Sequence, residues 1–233
     1  MEIQIGVAKV NKYASSESGD TLEVIERPNG GLSVVLADGQ RSGRSAKRIS
    51  NMVVRKVISL LAEGVRDGAA ARAASDYLLA QRGGKVMATL NIMSIDLVTN
   101  TIVITRNNPA PILIGRGKVI ELLDQESTSV GIYRGTRPCI NEIELSRGLT
   151  IVAFSDGLVH AGSRNSKKLD LIASLQSMLN DDLYPQQIAD ALMSQAMELD
   201  QGRPVDDISV VAISVLAKQE DNIRRMSVRL PIR

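Results

Sequence analysis

Three apolar stretches of this chain carry aspartate at one end. Leu32 to Ala37, apolar apart from Ser33, runs into Asp38-Gly39; Leu149 to Phe154 runs into Ser155-Asp156-Gly157; and Asp206-Asp207 opens the run Ile208 to Leu216. Short apolar runs rich in β-branched residues read as buried strands, and the glycines after two of the acids free the backbone there. A single Asp-Gly is an ordinary turn. Acids at the ends of three such strands instead suggest carboxylates converging on one site. The single histidine, His160, and the single cysteine, Cys139, leave no conventional zinc set. Any metal here is therefore held by oxygen, which favours Mg2+ or Mn2+.

The hydrophobic periodicity predicts the elements that position these acids. Ile3 to Val10 alternates as an edge or half-buried strand, and the polar stretch Lys12 to Asp20 reads as loop. Thr21 to Glu26 and Gly31 to Ala37 flank Arg27-Pro28-Asn29-Gly30, which predicts a β-hairpin leading into Asp38. From Ser45 to Glu63, Ala46, Ile49, Val53, Val57, Leu60 and Leu61 recur at helical spacing. A second, antiparallel helix over Asp67 to Gln81 starts at an acid able to N-cap and stops at Gly83-Gly84. Val86–Asp96, Thr101–Thr105, Ala110–Ile114, Lys118–Leu123, Cys139–Leu145 and Leu149–Phe154 predict an antiparallel meander. Helices over Lys168–Leu179 and Pro185–Leu199 then precede the last strand. Two helix pairs and two blocks of strands make a layered α+β sandwich, each block packed on the other and on a helix pair.

The 233 residues fit one large domain, assigned to 1–217, with a basic tail over 218–233 holding Arg224, Arg225, Arg229 and Arg233. The tail reads as a solvated or sheet-edge terminus. A net charge of +2 with scattered basic residues, four Tyr, one Phe and no Trp gives neither the electrostatic footprint nor the stacking platforms of a nucleic-acid binder. No apolar run approaches the ~20 residues of a membrane span, and the alternating N-terminus is not a secretory signal, so a cytoplasmic protein is expected. A phosphate-binding loop is excluded because Gly39 and Gly43 enclose three residues, with Arg44 following, where the Walker pattern has four and Lys. Ala153 stands where a nucleophile elbow needs glycine, so Ser155 is not read as a nucleophile.

In their order along the chain, Ser18-Gly19-Asp20, Asp38-Gly39, Ser155-Asp156-Gly157 and Asp206-Asp207-Ile208-Ser209 resemble the metal-dependent protein phosphatase (PPM, protein phosphatase 2C) family. The closer likeness is to its bacterial branch, the stage II sporulation protein E-like phosphatases. Ile95-Asp96, Arg106 to Leu113, Ser129 to Ile132 and Leu149 to Ala161 are similar to successive segments of that branch, so the likeness runs from about Ile5 to Val215. It implies a four-layer α-β-β-α sandwich of two antiparallel sheets flanked by helix pairs. It also implies a centre of two Mn2+ or Mg2+ ions in the cleft between the sheets, and hydrolysis of phosphoserine or phosphothreonine in proteins. Carried over, Asp38 bridges both metals, Gly39 offers its carbonyl, and Asp156 and Asp206 complete the second metal's shell. Asp20 matches an early acid acting on the first metal, often through water, and Asp207 lies beside a ligand. Phosphate-ester hydrolysis uses two hard cations about 3.5–4 Å apart, with an activated water attacking phosphorus in line.

The chain departs from the family pattern at Gln40, where animal and plant members carry a proton-donating histidine, which leaves the general acid unassigned. No equivalent of a phosphate-gripping arginine stands out among Lys9, Lys12 and Arg27. His160, four residues past Asp156, is either a leaving-group donor or a surface residue. The resemblance implies a phosphorylated regulatory protein as substrate, such as an anti-sigma-factor antagonist or stressosome protein in bacterial partner switching. The alternative is a catalytically weak phosphoprotein-binding module of the same fold. A partner, or a second copy in a homodimer, touching Ser45 to Glu63 would gate activity; an always-active enzyme is the other expectation.

Overall fold

A computed structural model describes residues 1–219 and 221–231. The chain opens with β1 (Glu2–Val10), then the hairpin β2 (Asp20–Glu26) and β3 (Leu32–Gly39). Helices α1 (Gly43–Ala62) and α2 (Asp67–Arg82) follow, then β4 (Ala88–Asp96), β5 (Thr101–Asn107), β6 (Ile112–Arg116), β7 (Val119–Leu123), β8 (Cys139–Glu144) and β9 (Leu149–Phe154). A short helix α3 (Asp156–His160) and a 3-10 turn (Ser163–Asn165) lead to α4 (Leu171–Asn180), α5 (Pro185–Leu199) and β10 (Ile208–Leu216). The strands form two five-stranded antiparallel sheets, ordered β1-β10-β9-β6-β7 and β2-β3-β4-β5-β8.

Three apolar layers hold four layers of structure together. Val34, Leu36, Met93 and Ile104 of one sheet meet Ile151, Ala153, Val211 and Ile213 of the other. The outer face of β3 and β4, with Val35, Ala37 and Ile92, packs on Val53, Val57 and Ala74 of α1 and α2. Val152, Phe154, Val210 and Ala212 face Leu175, Ile188 and Leu192 of α4 and α5. Alternate residues of one strand thus serve opposite cores. This is why β3, β9 and β10 are apolar almost throughout instead of alternating with polar residues.

Two expectations need correction. The sheets are not the two sequential blocks of strands: β1 pairs with β10, and the meander splits, β4, β5 and β8 joining one sheet while β6, β7 and β9 join the other. Local alternation specifies hairpins such as β4–β5 and β6–β7, but nothing in it says to which layer a hairpin goes. Asp67 does not cap α2. The cap position is Arg66, and buried Asp67 lies 3.4 Å from the Arg27 guanidinium instead. The left-handed Gly83 and the first-turn Pro185 stand where the sequence predicts them. In the tail, Arg224 donates to Glu26 at 2.6 Å and Gln219 N–H to Glu2 at 2.8 Å, while Met226, Val228 and Leu230 are exposed; Arg233 lies outside the described residues.

A buried cation secures one of the crossings between sheets. Arg106, at 1% exposure, donates to the carbonyls of Asn108 (2.6 Å), Ala110 (3.3 Å) and Gln125, tying the β5–β6 connection to the segment after β7. Arg106→Met keeps the volume but strands those carbonyls, and should lower unfolding free energy by about 2–4 kcal/mol. Urea denaturation measures this; a loss below about 1 kcal/mol would show that the crossing does not depend on these bonds.

Candidate metal centre

The layer between the sheets is apolar along most of its length and turns polar at one end. Along β3 the inward positions read Val34, Leu36, Asp38; along β10 they read Val215, Ile213, Val211, Ser209. Register sets Asp20 directly opposite Asp38 and Lys9 opposite Ser209, so the polar ends of four neighbouring strands coincide. Ser209 Oγ closes the cleft between sheets, donating to Asp20 Oδ2 at 2.6 Å. Two ammonium groups, Lys9 Nζ at 2.6 Å and Lys47 Nζ at 2.7 Å, donate to the Asp20 carbonyl. Burial, with Lys47 nearby, lowers Lys9 to about 8.

The glycines beside the acids are there for closeness. Neither Gly39 nor Gly157 has a left-handed backbone. A Cβ on Gly39 would collide with the Ala46 carbonyl of α1, and one on Gly157 with the Asp207 carbonyl. Their bare backbones let α1 close on β3 and α3 close on β10. Asp207 completes the assembly: its Oδ1 accepts from Lys12 N–H at 2.9 Å and its Oδ2 from Gly19 N–H at 2.8 Å. The carboxylate thereby staples the β1–β2 loop to the start of β10. Asp206 stays half-exposed, 4.0 Å from Lys12 Nζ, and Asp156 lies in the first turn of α3.

Electrostatics show that the acids face one another. Burial, then the charges of Asp20, Asp156 and Asp206, push the Asp38 carboxyl up to about 10. Burial also raises Asp20, against the bond from Ser209, and raises Asp206, against the amide of Asp207. Among the described residues no three acidic, His or Cys side chains are already drawn to the spacing of a metal site.

The chain matches the family model for Stage II sporulation protein E (SpoIIE) over residues 28–216. It belongs to that family. The Stage II sporulation protein E of Priestia megaterium is 24% identical over 230 residues, covering 97% of this chain but 38% of its own length. The chain thus spans well under half of that relative. Among solved structures, the PP2C phosphatase domain of SpoIIE from Bacillus subtilis, with a fragment of its regulatory domain, superposes at a TM-score of 0.80 and 22% identity, over 94% of this chain and 64% of that one. RsbX in complex with magnesium superposes at 0.69 and 15% identity, over 91% of this chain and 95% of that one. The fold is the PPM phosphatase sandwich that the family resemblance implies.

Within this SpoIIE-family cleft the donor set suits a hard divalent cation. Asp20 Oδ1 is buried without a hydrogen-bond partner, an arrangement that is costly unless something positive completes it. Asp156 and Asp206 are near enough for their charges to act on Asp38. Asp207 differs, since both of its oxygens are taken by backbone amides. Gln40 is also committed, its Oε1 accepting from Met87 N–H at 3.2 Å. His160 is exposed at the end of α3, and Ser155 Oγ accepts from Ser209 N–H at 2.9 Å, joining β9 to β10. Arg27 lies at the turn end of the hairpin, remote from Asp38, whereas Lys9, an exposed residue, reaches the Asp20 carbonyl with its ammonium. Sequence reasoning missed Ser209 and Lys47 as parts of the site. The inward parity of β10 could have indicated Ser209; Lys47 sits on a helix face that reads as solvated.

The raised acids make metal-free stability depend on pH. Asp38 is protonated in the fold above 3.8, where the unfolded chain has released its proton, so stability falls as pH rises. Lys9 is charged in both states below about 8 and adds nothing there. In chelator the melting temperature should therefore drop between about pH 5 and pH 8, and Mn2+ should raise it more at the higher pH, because cations compete with protons for the carboxylates. Calorimetric melts with and without Mn2+ check this; a flat profile in chelator would mean that the acids do not interact.

Proposed function

We propose that this chain is a metal-dependent protein serine/threonine phosphatase acting on a phosphorylated regulatory protein. The observation that carries this reading is the convergence of Asp20, Asp38, Asp156 and Asp206 at the open end of the inter-sheet layer, with Asp38 raised by the other three. Asp38, Asp156 and Asp206 would hold Mn2+ or Mg2+ through their carboxylates, with the unpartnered Oδ1 of Asp20 available beside them. The Gly39 carbonyl stands beside the Asp38 carboxylate as a further oxygen donor. Ions bound there would supply an acidified water for attack on phosphorus and positive charge for the phosphoryl oxygens.

The remaining residues shape the reaction without entering it. Asp207, Gly39 and Gly157 hold the three acid-bearing segments together, so that the carboxylates are preorganised. Lys9 and Lys47 place two ammonium groups on the Asp20 carbonyl beside the cluster, partly offsetting its negative charge before any cation binds. Gln40, bonded to Met87, is not poised to donate a proton, and His160 is exposed; protonation of the leaving group then falls to solvent. An anti-sigma-factor antagonist or stressosome protein is the substrate class that the family likeness supports.

Asp38→Asn and Asp156→Asn should stay folded and lose at least about a hundredfold in kcat on para-nitrophenyl phosphate with Mn2+, as removal of a direct ligand implies. Asp207→Asn should lose stability first, because one of its two backbone bonds goes. Steady-state kinetics with a melting curve for each variant separate these outcomes. Wild-type turnover in Asp38→Asn would remove that residue from the site, and no turnover by the wild type itself would favour a phosphoprotein-binding module.

A further inference from the structure

The segments that carry Asp156 and Asp206 also line a basic cavity that the hydrolytic reading does not use. It measures about 370 Å³ and is lined by Arg164, Asn165, Asp200, Gln201 and Arg203. Its only acid is spent internally: Asp200, at 5% exposure, accepts from Gly162 N–H at 2.8 Å and Val205 N–H at 3.0 Å. Among the described residues neither arginine joins an ion pair. Both are held in place, Arg203 with its guanidinium 5.3 Å from the centre of the Tyr13 ring, and Arg164 by donating to the Arg203 carbonyl at 3.4 Å. Exposed Lys167 and Lys168 follow on the same loop, against exposed Glu198 and the helix-capping Asp170.

The cavity is joined to the metal centre through the chain itself. Arg203 lies three residues before Asp206, and Arg164 lies in the turn that follows α3, the helix begun by Asp156. A second groove, about 540 Å³ and lined by Lys12, Tyr13 and Ser15, runs beside Arg203, and Lys12 Nζ is 4.0 Å from Asp206 Oδ1. Three residues of chain span at most about 11 Å, so an extended substrate with its phosphate at the acids would bring a side chain three or four positions away over the arginines.

We propose that Arg164 and Arg203 form a docking site for an acidic stretch flanking the phosphorylated residue of the protein substrate. The inference rests on the phosphatase reading for its position and on charge complementarity for its partner. Surface charges of this kind select partners and speed encounter more than they add affinity, so the effect belongs in kcat/KM.

The test uses paired phosphopeptides with Glu or Ala at positions three and four from the phosphoserine, assayed with Mn2+. The wild type should prefer the acidic peptide roughly three- to tenfold, the worth of two exposed ion pairs. The preference should vanish in Arg164→Gln/Arg203→Gln and survive in Arg164→Lys/Arg203→Lys, with para-nitrophenyl phosphate turnover unchanged in both. Independently of catalysis, a phosphate-free acidic peptide titrated into 15N-labelled metal-free protein should shift amide resonances over 162–168 and 200–205. If para-nitrophenyl phosphate is not hydrolysed, the phosphatase reading fails and this titration alone judges the docking site. Equal peptide preference in the Gln variant, absence of localised shifts, or shifts with phosphatidylserine vesicles but not with peptide would overturn the proposal.

Discussion

Carboxylates gathered where water is scarce are costly to charge, and here burial first, then the neighbouring acids, raise Asp38. The fold spends an otherwise apolar interface on bringing Asp20, Asp38, Asp156 and Asp206 to one end of it. Left alone, such a cluster opposes folding, because burial disfavours each charge and every neighbour disfavours it further. The chain mitigates this with Lys9 and Lys47 on the Asp20 carbonyl and Ser209 on its carboxylate, yet leaves Asp20 Oδ1 bare. A divalent cation is the partner whose chemistry answers all of these features at once.

Gathering the acids requires the backbones that carry them to touch. Gly39 under Ala46, Gly157 under Asp207 and Gly19 between Ala46 and Asp207 remove the side chains that would hold α1, α3 and the β1–β2 loop apart. Asp207 then ties the β1–β2 loop to the start of β10 through the amides of Lys12 and Gly19. Position and chemistry are thereby divided between adjacent residues, Asp206 facing the cleft and Asp207 holding the loop. The same loops extend outward to Arg164 and Arg203, so a contact made there by a protein substrate acts on segments that carry the acids.

Much of this was legible in sequence because the signals are local. Apolar runs ending in acids located Asp38, Asp156 and Asp206, and helical spacing located α1 and α5 to within a few residues. What was not legible depends on which sheet a hairpin joins. The pairing of β1 with β10 places Lys9 opposite Ser209, 200 positions further along the chain, and no pattern within either strand encodes it. Asp67 misled for a related reason: an acid at a helix start resembles a cap until a distant Arg27 is found beside it. In sequence Gly39 and Gly157 read only as freeing the backbone, whereas their function is close approach, which the neighbouring chain reveals.

The most direct test of the metal centre is anomalous diffraction at the manganese edge from crystals grown with Mn2+. The account predicts peaks in the cleft, with Asp38 between two ions and Asp156 and Asp206 on the outer one, while Asp207 keeps its bonds to Lys12 and Gly19. Saturating Mn2+ that left the cleft without a peak, or peaks that lay away from Asp38, would contradict it.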